Sequence, residues 1–455
     1  MKKILLATLM AQMTISLVGC NTDSENGQLP TVTESHLQRI IVTTDIGGSD
    51  PDDEESMVHL LLMSNDLDVE GLICGEAFVK MTPGVSTLNK IIKAYDQALP
   101  NLLVHSKDYP TTSYLRSIVA TGQTEVGMAG VGNGKDSKGS ELIINAVDKD
   151  DARPIWLTSW CGMNTIAQAL WKVKQTRSAA DVERFISKIR IYDILGQDDA
   201  GSWIVRNFPN IFYIRNKDVY GWGPSDDWVK KNIQAYAPMG TVYPNRAWAT
   251  EGDSPSFFYL VDNGLNVPEK MEYGSWGGRF STVRKSDVRG MDWVEKNGMV
   301  ESQYDPYFMY TNTLEGGESI SKWKDDINND FAARIQWSVT SDYKGANHHP
   351  IVVLDNEKSA SKDMVERTID SSSDLTFDAS RSYDPDGNDL HYYWFYYKEV
   401  GTYSGNIPIS NARSSKVTIK IPSEAKGKTI HIILEISDSG TPSLTSYRRL
   451  VLHIN

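Results

Sequence analysis

Two hydrophobic patterns alternate along most of the chain, and a third replaces them towards its end. Residues 39–43, 68–74, 102–105, 154–158, 188–194 and 211–215 are short apolar runs rich in β-branched side chains, the mark of buried strands. Between them, residues 56–65, 86–97, 140–147, 165–173 and 181–186 space their apolar positions three and four apart, which predicts helices, the first of them amphipathic. Strands alternating with helices imply βαβ units and a mostly parallel α/β sheet flanked by helices. In such sheets ligands bind beyond the carboxyl ends of the strands. Near Asn347-His348-His349-Pro350 the pattern changes, and residues 375–377, 391–397, 416–421, 429–437 and 446–454 read as short strands separated by turns. That spacing predicts a small Ig-like β-sandwich.

The N-terminus reads as a secretory signal. Lys2 and Lys3 precede a mostly apolar run that ends in Leu17-Val18-Gly19-Cys20, too short to span a bilayer. The last four residues look like a lipobox, which makes Cys20 the expected lipidation site of a membrane-anchored extracytoplasmic lipoprotein. The polar stretch behind it reads as a flexible tether. The expected organisation is a signal peptide over 1–19, a tether over 20–37, an α/β domain over 38–348 and a sandwich over 349–455. The remaining cysteines, Cys74 and Cys161, sit in apolar surroundings and read as small buried hydrophobes. No spacing of Cys and His suggests zinc.

The formal charge of −13 argues against a nucleic acid partner, because that affinity comes from Lys and Arg neutralising phosphates. An acidic chain suits neutral sugars or metals held by carboxylates, and its 12 Trp and 21 Tyr add flat faces that pack on sugar rings. The adjacent His348 and His349 lack spaced partners and read as a mark of the domain junction. The turn Asp384-Pro385-Asp386-Gly387 reads as a solvated Asx/Pro/Gly turn, similar to those of PKD-like domains. The Gly-rich aromatic stretch 273–280 is either a flap over a ligand or a packed loop. It is no phosphate cradle, since no Lys-Ser/Thr follows.

The chemistry concentrates in Asp45-Ile46-Gly47-Gly48-Ser49-Asp50-Pro51-Asp52-Asp53-Glu54-Glu55. Six carboxylates in eleven residues repel one another unless a cation or protons compensate. Calcium accepts such a set, with six to eight oxygen ligands. Gly47 and Gly48 let the loop turn back so that Asp45 converges with Asp52 and Asp53. Helix capping explains one of the carboxylates at most.

This segment resembles the nucleoside hydrolase signature Asp-x-Asp-x-Gly-x-Asp-Asp. More closely, the chain is similar to the nucleoside hydrolase-like domain of bacterial secreted proteins described as cellulose-binding, which carry an Ig-like domain behind it. Residues 155–165, 191–201 and 251–257 match further stretches in the right order. The resemblance implies Ca2+ held by Asp45, Asp53 and Asp253, with a main-chain carbonyl near Ser159 or Trp160. It implies Asp52 on a sugar hydroxyl and Trp160, Asn164, Gln197 and Asp198 as further substrate contacts. It also implies a metal-activated water deprotonated by Asp45, attacking an anomeric carbon with inversion.

Three departures matter. The family's first Asp falls on Thr43, extra residues lie between Asp45 and the Asp52-Asp53 pair, and the histidine that often precedes the late Asp is Gly252 here, which leaves Glu251 as the expected catalytic acid. The expected function is an extracytoplasmic calcium-dependent hydrolase of a glycosidic or N-ribosidic bond in a carbohydrate or riboside. The alternative is a non-catalytic protein that binds a cellulose-like polysaccharide on the same scaffold. A purely structural surface protein leaves the acidic strand-end motifs without a reason.

Overall fold

The structure is a computed structural model, which describes residues 31–32, 37–76, 82–248 and 250–455. The expected signal peptide, Cys20 and most of the expected tether lie outside the described residues. Within that tether, Thr31–Val32 pair in parallel with Ser359–Ala360.

Eight strands form the central sheet: β1 (Gln38–Thr44), β2 (Leu67–Cys74), β3 (Val119–Thr121), β4 (Ile155–Ser159), β5 (Ile189–Ile194), β6 (Phe212–Asn216), β7 (Lys285–Ser286) and β8 (Phe308–Thr311). Their spatial order is β3-β2-β1-β4-β5-β6-β8-β7, and every pairing is parallel except that of β7 with β8. Successive residues of β1 serve opposite faces: Ile40 and Val42 enter one apolar layer, and Ile41 joins Ile73 and Leu157 in the other. Helices cover both layers, so the strands read as continuous apolar runs rather than alternating ones. The chain leaves β1 towards β2 on one side and returns to β4 on the other. The switch point for a ligand therefore lies between the carboxyl ends of β1 and β4.

The longer helices are α1 (Asp52–Leu62), α2 (Val85–His105), α3 (Lys138–Asp148), α4 (Asn164–Thr176), α5 (Ala179–Ser187), α6 (Ala200–Asn207) and α7 (Lys324–Trp337). Two expectations are corrected. Residues 102–105 are not a strand but the last turn of α2, because the buried series Leu88, Ile91, Ile92, Tyr95, Ala98 and Leu102 keeps helical spacing straight past Pro100. Helix α1 starts four residues before the predicted onset and is not amphipathic, since Asp52, Asp53, Glu55, Ser56 and His59 are buried with the apolar residues.

The second unit holds β9 (Val365–Ile369), β10 (Asp374–Asp378), β11 (Leu390–Tyr396), β12 (Ile409–Ser410), β13 (Lys416–Lys420), β14 (Thr429–Asp438) and β15 (Thr445–Ile454). Sheets β9-β15-β14-β11 and β10-β13-β12 face each other over a core that includes Phe377, Trp394, Ile419 and Leu434. This sandwich does not hang free. Tyr397, Ile433 and Tyr447 join the apolar core of the α/β unit. The buried Arg449 donates to two carbonyls of that unit, Leu265 O at 2.8 Å and Gly274 O at 2.9 Å.

The junction histidines are both engaged. His348 lies 3.0 Å from His105 and 3.0 Å from Asp386, while His349 sits 3.1 Å from Asp330. Asp386 therefore corrects the reading of its turn as merely solvated: its carboxylate also accepts the His348 amide at 2.7 Å. The Asp384 carboxylate closes the same turn by accepting the amides of Asp386 and Asn388.

Candidate metal centre and binding pocket

A cavity of about 410 Å³ opens at the switch point. Its floor is acidic. Strand β1 delivers Asp45, a tight turn with Gly47 at φ 87° follows, and the first turn of α1 returns Asp52 and Asp53. The turn closes through Gly48 N to Asp45 O at 3.1 Å. A Cβ on Gly47 would lie 3.3 Å from the Gly84 Cα, so the positive φ and the close approach both suit glycine. Asp253 arrives from the long excursion between β6 and β7.

Asp52, Asp53 and Asp253 each place one carboxylate oxygen within 4.8 Å of the others. Asp45 lies against Asp53 and shares a hydrogen bond with it. Thr44, one residue earlier, donates its hydroxyl to Asp53. The arrangement differs from the one the sequence suggested, since Asp52 stands in the converging trio where Asp45 was expected. Burial is the main cause of their electrostatics, and the neighbouring carboxylates add to it. It lifts Asp45 to about 7 and Asp52 to about 8, with Asp53 and Asp253 well above the usual carboxylate range.

These residues fit a hard cation. The buried Asp253 Oδ2 has no hydrogen-bond partner among the described residues, and neither do Asp50 Oδ1 and Glu54 Oε2. Among the described residues, no Lys or Arg forms an ion pair with Asp45, Asp50, Asp52, Asp53 or Asp253. Oxygen donors alone, clustered among the described residues without a cationic partner, suit a hard divalent cation.

The walls are less polar. Trp160 follows β4, and Ile194, Leu195 and Gln197 follow β5. The Gln197 amide donates to Trp160 O at 2.7 Å, so this carbonyl, expected near the metal, is already engaged. The Trp160 indole donates to Ser256 Oγ at 2.7 Å and ties the β4 loop to the Asp253 segment. Tyr220, Trp248, Met291 and Trp293 form the rim, and Trp248 is 70% exposed. Sequence reasoning missed all four. They lie on loops without periodicity, far in sequence from the acidic motif, and no local signal distinguishes them from other surface aromatics.

Three expected site residues do not reach the pocket. Asp198 accepts the Asn164 amide at 3.1 Å and the Ala200 amide at 2.9 Å, and so holds the starts of α4 and α6 together. Asn164 turns its side chain to Glu125 O at 2.9 Å. Glu251, expected as the acid, faces away: Tyr243 donates to its Oε1, and His59 and Ser254 reach its Oε2, all at 2.7 Å. It is held at φ 45°, a conformation rare for a glutamate, and its carboxylate is saturated. The stretch 273–280 is a packed loop rather than a flap. Trp276 and Phe280 are buried, and the Trp276 indole points to Tyr447 of the sandwich at 3.3 Å.

Comparison with known proteins agrees with this architecture. Residues 39–280 match the family model described as cellulose-binding Sde182, nucleoside hydrolase-like domain, and residues 374–454 match the C-terminal domain of cellulose-binding protein Sde0182. No curated protein matches the chain. Among solved structures, a nucleoside hydrolase-related protein from Saccharophagus degradans, described as associated with carbohydrate metabolism, is 48% identical. The match covers 92% of this chain and 100% of that one, with a TM-score of 0.87. A PKD domain from the KIAA 1837 protein (19% identity, 20% of this chain and 81% of that one, TM-score 0.16) matches too little to bear on the fold. On the span and order of these matches, the chain belongs to the Sde182 family, with its nucleoside hydrolase-like domain followed by its C-terminal domain.

Proposed function

We propose that the protein is an extracytoplasmic, calcium-dependent hydrolase that cleaves a glycosidic or N-ribosidic bond in a carbohydrate substrate. One observation carries the reading: Asp52, Asp53 and Asp253 converge in a buried pocket whose described lining includes no cationic side chain. That convergence costs the fold the repulsion and desolvation of several carboxylates.

In this reading Asp52, Asp53 and Asp253 hold the ion, with Asp45 beside them. When bound there, a divalent cation would neutralise the carboxylates and would supply the Lewis acidity that acidifies a neighbouring water. Asp45 takes the proton as the water oxygen bonds to the anomeric carbon, and the leaving group departs with the electron pair of the broken bond. A single displacement of this kind inverts the anomeric centre. Trp160 and the rim aromatics supply apolar faces for the sugar and exclude bulk water.

A second reading has its own support. Glu251 points away from the cavity, and the family is described as cellulose-binding. Both suit a site that binds a polysaccharide without cleaving it. The two readings separate when the full chain is incubated with nucleosides and p-nitrophenyl glycosides, with and without chelator. Release abolished by chelator and restored by calcium supports hydrolysis. Calcium-dependent retention on insoluble cellulose without release supports binding, and neither result removes both.

Localisation follows the same reading. Cys20 is proposed to carry the lipid that anchors the protein to the membrane, and among the described residues no helix is long and apolar enough to cross one. Lipid labelling of the wild type, absent from Cys20→Ala, tests it.

A further inference from the structure

Gly252 separates Glu251 from the metal-site residue Asp253, and its missing side chain has a specific consequence. A Cβ built there would meet the Tyr220 ring at 2.9 Å, its hydroxyl at 3.1 Å and Asp52 Oδ2 at 3.0 Å. The Tyr220 ring and Asp52 Oδ2 thus flank the bare backbone of Gly252, and a side chain at 252 would have to push one of them aside.

The loop that carries Tyr220 is braced along its length. Lys217 donates to Arg289 O and Gly290 O, each at 2.8 Å, and its amide donates to Asn312 Oδ1 at 2.7 Å. The Asp218 amide donates to Asn216 Oδ1 at 2.9 Å. Val219 and Trp222 are buried on either side, with the Trp222 indole bonded to Val219 O at 3.0 Å. Asp218, Tyr220 and Gly221 are exposed, and of these Tyr220, 42% exposed, lines the cavity. A side chain carried on a loop fixed by these hydrogen bonds and by the buried Val219 and Trp222 is preorganised for a ligand. Among the described residues that line the cavity there is no His, Lys or Arg. The phenol is thus a hydroxyl group set beside carboxylate acceptors.

We propose that Tyr220 is a substrate-binding residue whose hydroxyl contacts a sugar oxygen on the side of the pocket where Asp52 and Gly252 meet. The inference rests on the carbohydrate reading of the site and gives that reading a donor beside the Asp52 side of the carboxylate floor. The recognised chemistry is a hydroxyl-bearing ring, with acceptors from the carboxylate floor and one donor from Tyr220.

The test uses the full-length protein loaded with calcium and compares wild type, Tyr220→Phe and Gly252→Ala. Calcium affinity is measured by calorimetry, then binding of D-ribose, cellobiose and cellohexaose. Tyr220→Phe removes only the hydroxyl. It is expected to keep calcium affinity and to weaken the best sugar probe about three- to tenfold, the scale of one neutral hydrogen bond. Gly252→Ala displaces the ring and is expected to weaken the same probe at least as much. If wild type binds a probe and Tyr220→Phe binds it equally well, the assignment falls while the carbohydrate reading stands. If wild type binds calcium but none of the three sugars, that reading and the assignment fall together.

Discussion

His59 Nδ1 lies 2.7 Å from Glu251 Oε2, inside the core and behind the pocket rather than in it. The imidazole is stacked on Phe331 at 3.8 Å, and the same glutamate receives Tyr243 and Ser254. The Glu251 amide donates to Glu55 Oε2 at 2.9 Å, so the strained backbone just before Asp253 is clamped from both ends.

The clamp implies a structural role. Glu251→Gln is expected to lower unfolding free energy by about 1–3 kcal/mol, as expected for a buried charged hydrogen-bond network that loses a partner. Turnover, where present, should stay within about threefold, because the carboxylate does not face the cavity. Urea unfolding and steady-state rates check both. A hundredfold loss of turnover with calcium affinity intact would return Glu251 to the reaction.

Removing one carboxylate of the trio should act on the ion first. Asp253→Asn is expected to weaken calcium binding by at least about a hundredfold, more than is usual for residues outside the ligand sphere. At alkaline pH the same substitution should stabilise the metal-free protein, since a buried group that would otherwise ionise among carboxylates is replaced by a neutral amide. Calorimetric titration and melting in chelator test the two effects, and their opposite signs distinguish a ligand from an ordinary core residue.

The pH dependence has a definite sign. Burial raises Asp45 to about 7, Asp52 to about 8 and Glu55 to about 9, all far above their unfolded values. The native state then holds more protons than the unfolded chain above about pH 4. The contribution of these protonated groups is complete below that pH and is lost as pH rises through about 7 to 9. Metal-free protein should therefore melt at least about 3 °C lower at pH 8.5 than at pH 5.5. Added calcium should restore more stability at the higher pH, where the carboxylates need no protons displaced. Melting curves at both pH values, in chelator and in calcium, check this.

The sandwich should prove integral to the fold. Arg449 is buried without a carboxylate partner, and its donors go to Leu265 O and Gly274 O in the α/β unit. Arg449→Ala strands these carbonyls and opens a void, with an expected loss of about 2–4 kcal/mol. A single cooperative unfolding transition in wild type, splitting into two in the variant, is the expected calorimetric signature.

Parts of this architecture were legible for a clear reason. β1, β2, β4, β5 and β6 are sandwiched between helical layers, so burial on both faces writes them as apolar runs. β3, β7 and β8 are too short to leave such a trace. Helix α7 was illegible for the opposite reason. Asp330, Arg334 and Asn328 are buried along with Phe331 and Ile335, and the ion pair of Asp330 with Arg334 at 2.7 Å replaces the polar–apolar contrast that marks a surface helix. The C-terminal turn of α2 was mistaken for a strand because its apolar face and a β-run look alike over four residues.

The same division runs through the site. The amino-acid order alone determined that Asp45, Asp52 and Asp53 share one glycine-hinged loop after a strand, because the motif is local. Asp253 could be joined to them through a resemblance, but not through any spacing. Only the tertiary structure decided that Asp52 completes the trio, that Asp198 and Asn164 serve the helix starts, and that Glu251 turns to His59. Local sequence sets which groups a loop carries. The direction each side chain takes depends on partners brought in from distant elements, such as Tyr243, Phe331 and Tyr220, and those partners meet only when the sheet closes its layers.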